Sequence, residues 1–230
     1  MSNHFQALSK SIWQAIDDQE SLPRNTYIIR YKADHYLIYN PSEHSLSAAK
    51  EIIVSAKQLD LLAASAGYLS GLVAWRQSYP SAYVWGADPV SKIFTSRLGL
   101  ARSGAIGMLH DYLPDWIKIK PVPTSRLGEC WVHIDDENEA YLVTSESLMN
   151  LPTLADDWAS RIRHKLSGLH QGLCISYDFK RKVSLGGFRN WSQTQLKPYD
   201  SFTLLPTKGE PLKLRTEDAM RYVNQRFATI

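Results

Sequence analysis

Leu59-Asp60-Leu61-Leu62-Ala63-Ala64 runs directly into Ser65-Ala66-Gly67-Tyr68-Leu69-Ser70 and then into Gly71-Leu72-Val73-Ala74-Trp75. The first six residues form a short, mostly apolar run, which predicts a strand over Leu59–Ala64. Beyond it, Tyr79-Pro80-Ser81-Ala82-Tyr83-Val84 leads into a second strand over Ala82–Gly86. Upstream, β-branched and aromatic residues mark strands at Tyr27–Tyr31 and Tyr36–Asn40. Between those and Leu59, the spacing of Leu46, Ala49, Ile53 and Ala56 predicts an amphipathic helix over Ser45–Lys57.

A second series of strands follows at Trp116–Val122, Glu129–Ile134, Ala140–Thr144, Leu173–Tyr177 and Phe202–Pro206. Trp158, Ile162, Leu166 and Leu169 recur at helical spacing and predict a helix with one apolar face. The last helix begins near Thr216, an N-cap type with Glu217 and Asp218 in its first turn, and would bury Met220, Val223 and Phe227. Strands leading into helices in both halves predict an α/β architecture of sheets covered by helices. No Pro/Gly/Ser-rich linker interrupts the chain. The expectation is therefore one domain over residues 1–230 with two similar halves, about 1–110 and 116–230.

The chain has 230 residues, 44% of them hydrophobic and 21% charged, which provides for a sizeable core. A formal net charge of +3 is too small to argue for nucleic acid. The stretch from Met1 lacks a basic region followed by an unbroken apolar one, and no window of 18 apolar residues occurs, so neither a secretory signal nor a membrane span is expected. Cys130 and Cys174 have no paired spacing and read as reduced core thiols of a cytoplasmic protein. The segment Lys180–Gln193 gathers Lys180, Arg181, Lys182 and Arg189 with Phe188 and Trp191 around Gly186-Gly187. It reads as a solvated loop whose aromatics tuck into the domain, or as a weak, salt-sensitive nucleic-acid contact.

Several landmarks fall in an order that resembles the metallo-β-lactamase superfamily. Arg24-Asn25-Thr26-Tyr27-Ile28-Ile29 is similar to its first hairpin, and Leu37-Ile38-Tyr39-Asn40-Pro41 to its second strand and turn. Leu59–Ala64 matches the buried strand that delivers the first metal motif. Pro123-Thr124-Ser125-Arg126-Leu127-Gly128-Glu129 resembles the later Pro-Gly-His segment. Tyr141-Leu142-Val143-Thr144-Ser145-Glu146-Ser147-Leu148 and Leu204-Leu205-Pro206-Thr207-Lys208-Gly209-Glu210-Pro211 resemble the strands that end in the family's Asp and last His. The resemblance runs from about Asn25 to the final helix. It implies an αββα sandwich, in which two mixed β-sheets pack face to face with helices on the outer faces.

By the same resemblance, the first metal motif falls on Ser65, Gly67, Leu69 and Ser70, and the later ligands fall on Ser125, Glu146 and Lys208. Gly67 and Leu69 offer no donor, and Lys208 brings an ammonium where a cation would sit, so no metal or other cofactor is expected. Elsewhere His133 with Asp135, and His110 with Asp111, are two ligands each, while His4, His35, His44, His164 and His170 stand singly. Glu146 and Lys208 are expected to meet as an ion pair. The functional expectation is a binding or interaction subunit for an unidentified protein or small molecule. One alternative is a hydrolase rebuilt around Lys208, Glu146 and the serines; another is a nucleic-acid-binding accessory protein with Lys180, Arg181, Lys182, Arg189 and Trp191 as its contact loop.

Overall fold

The computed structural model describes residues 4–18, 22–137, 139–153 and 158–227. The chain divides into two compact units, Met1–Lys118 and Ile119–Ile230. The first contains β1 (Phe5–Ala7), β2 (Ile12–Asp17), β3 (Arg24–Lys32), β4 (His35–Tyr39), α1 (Leu46–Ala49), β5 (Gln58–Leu62), α2 (Ser70–Ser78), β6 (Tyr83–Gly86), α3 (Asp88–Leu98), β7 (Ser103–Ala105) and α4 (Ile106–Leu109). Its seven strands lie side by side in sequence order. Antiparallel pairing joins β1 to β4, and parallel pairing joins β4 to β7, so the sheet is mixed. The parallel half needs crossovers, and these supply α1, α2 and α3.

Alternation decides which side of this sheet meets the helices. Ile28, Ile38, Leu59, Leu61 and Val84 pack with Leu72 and Trp75 of α2 and Val90 and Phe94 of α3 in one buried cluster. At the end of β4, Asn40 takes a left-handed conformation with φ +55° and donates from Nδ2 to Asn25 O at 2.8 Å. The turn after it is held by Ser42, whose hydroxyl donates to Asp17 and whose carbonyl accepts from Trp75 Nε1 at 2.7 Å. Here α2 approaches closely, because a Cβ on Gly71 would stand 2.0 Å from the Pro41 carbonyl oxygen.

The second sheet begins with β8 (Ile117–Pro121) and continues through β9 (Cys130–Asp136) and β10 (Glu139–Thr144). Then come β11 (Met149–Leu151), α5 (Trp158–Leu166), β12 (Gly172–Cys174), α6 (Tyr177–Arg181), α7 (Leu185–Leu196), β13 (Ser201–Pro206), β14 (Leu212–Arg215) and α8 (Thr216–Phe227). The five-stranded order is β14-β13-β10-β9-β8, with β11 and β12 forming a separate pair. Only β10 and β13 are parallel among the registered pairs of the five-stranded sheet. Trp131, Leu142, Phe202 and Leu204 pack with Phe179, Phe188, Val223 and Phe227 in its core. Cys130 and Cys174 are both buried and free, and burial pushes the Cys174 thiol up to about 11.

Four expectations need correction. The helix over Ser45–Lys57 is α-helical only at Leu46–Ala49; thereafter the chain tightens into turns, with Ile52 N bonding to Ala49 O and Ala56 N to Ile53 O. The run Ile52-Ile53-Val54 is β-branched and disfavours continuation. The strand drawn over Leu173–Tyr177 stops at Cys174, because Ser176 caps α6 by accepting from Phe179 N at 3.0 Å. The basic segment Lys180–Gln193 is not a loop: from Leu185 onward it is α7, with Gly186 and Gly187 inside the first turn. Finally, α5 turns Trp158, Ile162 and Leu166 outward, and only Leu169 beyond its end is buried.

Gly71→Ala tests the contact between α2 and the Pro41–Ser42 turn. Because the obstruction is backbone, the substitution should cost about 2–3 kcal/mol of unfolding free energy in urea titration. A loss within error of zero would show that α2 does not sit against that turn.

Candidate functional site

Two strands that run parallel and in register end at the same level. In the second unit Thr144 of β10 pairs with Pro206 of β13, and Thr207 N extends the ladder to Thr144 O at 2.9 Å. The next residues, Ser145-Glu146-Ser147 and Lys208-Gly209, therefore leave the sheet side by side. Lys208 Nζ lies 3.3 Å from Glu146 Oε1, with their side chains 20% and 16% exposed.

The Lys208 segment is pinned from beyond. Gly209 adopts φ +97° and bridges to Asn150 of β11, and Glu210 N donates to Asn150 O at 2.9 Å. A Cβ on Gly209 would fall 1.7 Å from that same oxygen, so only glycine fits.

The Glu146 segment is pinned from beneath, by Glu129. This carboxyl is fully buried and accepts from Ser145 N at 3.1 Å, from Ser147 N at 3.1 Å and from the Ser147 hydroxyl. Ser147 Oγ in turn accepts from Trp131 Nε1 at 2.7 Å. Burial pushes Glu129 up from 4.5 to about 8, against the pull of those hydrogen bonds and with help from the Glu146 charge. In the sequence Glu129 is only the last residue of the segment Pro123–Glu129. Its signal is a carboxylate opening the apolar run Cys130-Trp131-Val132, since charged residues are rarely buried without a dedicated set of partners.

The remaining singled-out residues are distributed as follows. Ser125, in the turn between β8 and β9, is buried, and its hydroxyl has no hydrogen-bond partner among the described residues. In the first unit Ser65 is buried and its Oγ accepts from Gly67 N at 3.3 Å. Leu69 caps α2 without a side-chain bond, and Ser70 is its exposed first residue. In the former basic loop Lys182 pairs with Asp178 at 2.7 Å and Arg181 lies over the Tyr177 ring. Trp191 turns onto Trp131, with ring centroids 4.8 Å apart, while Lys180 and Arg189 are partly buried. His133 stacks on Tyr199 at 5.6 Å.

As a donor set these residues do not suit a metal ion. Among the described residues no group of three or more His, Cys, Asp or Glu side chains converges. Zinc sites use three or four such ligands, and the ammonium at Glu146 is a cation already.

No protein-family model and no curated protein matches the sequence. Solved structures do. The DIM-1 metallo-β-lactamase superposes with a TM-score of 0.65 at 10% identity, over 100% of this chain and 98% of that one. This chain has the metallo-β-lactamase fold. The metallo-β-lactamase FIM-1 from Pseudomonas aeruginosa, solved in a mono-zinc form, gives a TM-score of 0.63 at 11% identity, covering 99% and 96% of the two chains. The flavodiiron protein from Giardia intestinalis shares the fold with a TM-score of 0.60 at 11% identity, over 98% of this chain and 59% of that one. No helix among the described residues is long and apolar enough to cross a membrane.

Two predictions follow from the strand-end cluster. Lys208→Met should lower the unfolding free energy by about 1 kcal/mol, and Glu146→Gln combined with it should recover part of the loss. Strictly additive effects in that double-mutant cycle would show that the pair contributes nothing. Glu129 binds its proton more tightly when folded, so its contribution is complete below about pH 4.5 and is lost as pH rises through about 8. Urea midpoints of the protein should fall across that window and level off above it. Glu129→Gln should flatten the slope, and parallel curves for the two proteins would exclude Glu129 as its source.

Proposed function

We propose that this chain is a metal-independent protein of the metallo-β-lactamase fold that acts by binding, as an interaction subunit, rather than by metal-dependent hydrolysis. The ion pair between Lys208 and Glu146 is the observation that carries this reading. By the resemblance, these are the positions from which the family's Asp and last His would reach a cation. A protonated lysine has no lone pair to offer and repels a divalent ion at contact distance. Its positive charge meets the carboxylate that the ion would otherwise meet. Gly209 and Glu129 fix the two backbones, so the pair is a built feature of the strand ends rather than an accident of two long side chains.

The candidate serines do not favour a hydrolase. Ser65 is buried with its Oγ accepting from Gly67 N, Ser70 is the exposed first residue of α2, and Ser125 is buried with no hydrogen-bond partner for its hydroxyl among the described residues, so none is paired with a base. A nucleophile has to reach substrate and a base together. Nothing favours the nucleic-acid reading either, since Trp191 lies against Trp131 and Lys182 against Asp178.

Loading the purified protein with excess zinc, iron or manganese, followed by desalting and elemental analysis, tests the proposal. The expected content is far below one metal per chain. Near-stoichiometric metal would overturn it.

A further inference from the structure

The first unit contains a cavity of ≈ 470 Å³ that nothing above explains. It opens where β4, β5 and β6 begin, and is lined by His35, Gln58 and Tyr83, the first residues of those strands. Ser65, Gly67, Leu69 and Ser70 follow the other end of β5. The volume lies within the range of small-molecule sites, which run to about 300–1,000 Å³.

Its walls are rings. Tyr31 and His35 meet edge to face at 5.7 Å, Tyr83 and Trp85 stack at 5.6 Å, and Tyr112 and Met108 form the outer lip. Gly104 makes this possible on one side, because a Cβ there would press to 2.9 Å on the Trp85 ring. Tyr112 is 69% exposed and Met108 60%, although both carry large apolar groups.

At the base sits Asp60, 1% exposed between Leu59 and Leu61 of β5. It accepts from Tyr31 Oη at 2.7 Å, Trp85 Nε1 at 2.7 Å and Gln58 Nε2 at 3.1 Å. All three donors are neutral, and no cation pairs with it among the described residues. Lys32 also lines the cavity and is exposed. Burial, together with the charge of Asp60, drives the Tyr31 phenol far up, which keeps it a donor. A buried carboxylate without a counter-charge, under aromatic faces, attracts positive charge by two routes: directly, and through the ring quadrupoles. Arg102 already exploits one of these faces, lying 5.2 Å from the Tyr83 centroid. A hard inorganic cation is a poor fit, because it requires six or more oxygen ligands and the cavity offers one carboxylate.

We propose that this cavity binds a small organic cation, of the quaternary or alkylammonium class, seated among Tyr31, Trp85 and Tyr112 above Asp60. All the residues of this site belong to the first unit, so its ligand is independent of any metal at the strand ends of the second.

Calorimetric titration of the full chain with choline chloride, at constant ionic strength, tests it against 3,3-dimethylbutan-1-ol, the uncharged isostere. Choline should bind with a Kd of about 1 mM or tighter, and the alcohol at least about fivefold more weakly. Tyr112→Ala removes an exposed ring; it should leave the unfolding midpoint unchanged and weaken choline about three- to tenfold. Asp60→Asn should weaken it further, and is read only if circular dichroism shows the variant folded. No heat with choline up to about 20 mM, equal affinity for the alcohol, or undiminished binding by the Tyr112 variant would each overturn the proposal.

Discussion

Parallel pairing of β10 with β13 imposes a condition that the rest of the second unit has to meet. Two strands running the same way, in register, release the chain at the same level, so Ser145-Glu146-Ser147 and Thr207-Lys208-Gly209 emerge within a few ångströms of each other. Such strand ends, crowded and backed by a sheet, are where open α/β sheets commonly place ligands. Their own geometry has to be fixed first. Asn150 does this for one segment by occupying the space a side chain at position 209 would need. Glu129 does it for the other by gathering two backbone N–H groups and a hydroxyl onto one buried carboxyl. What lies between them is an ammonium and a carboxylate, 3.3 Å apart.

In each unit a tryptophan N–H is tied to a buried carboxyl, to different effect. In the second, Trp131 reaches Glu129 only through Ser147 Oγ, and Glu129 is surrounded by backbone that it organises. In the first, Trp85 and Tyr31 bond Asp60 directly, and the same rings line an open cavity. The Glu129 carboxyl is thus spent on the fold, whereas Asp60 retains an apolar, accessible space above it. Buried polar groups are costly unless satisfied, and both are satisfied. Asp60 borders a volume large enough for a ligand.

Strands buried along most of their length were legible in the sequence: β3, β4, β5, β6, β9, β10 and β13 all fall where the apolar and β-branched runs place them. β2 was not, because its pattern is inverted. Gln14 and Asp17 are buried while Ile16 is 46% exposed, since Asp17 accepts from the Ser42 hydroxyl across the turn. Periodicity identified α5 as amphipathic, yet it cannot say which face is covered, and Trp158 is 75% exposed. Gly186-Gly187 read as a turn, but the helix tolerates glycine in a first turn whose N–H groups lack helical partners in any case. The positions of Glu146 and Lys208 came only through resemblance to a family, because neither residue is unusual in its local sequence. Asp60 and Glu129 are hidden for the opposite reason: a lone carboxylate beside an apolar run carries no signal until its donors, most of them distant in sequence, are in place.

Whether Lys208 stands where this fold would otherwise hold a cation is tested most directly by anomalous diffraction at the zinc edge, from crystals soaked in excess zinc. Lys208 Nζ is expected within ion-pair distance of Glu146, with no anomalous peak at the ends of β10 and β13. A zinc peak bound to Glu146, with Lys208 swung away from it, would show that a metal and not the lysine belongs there.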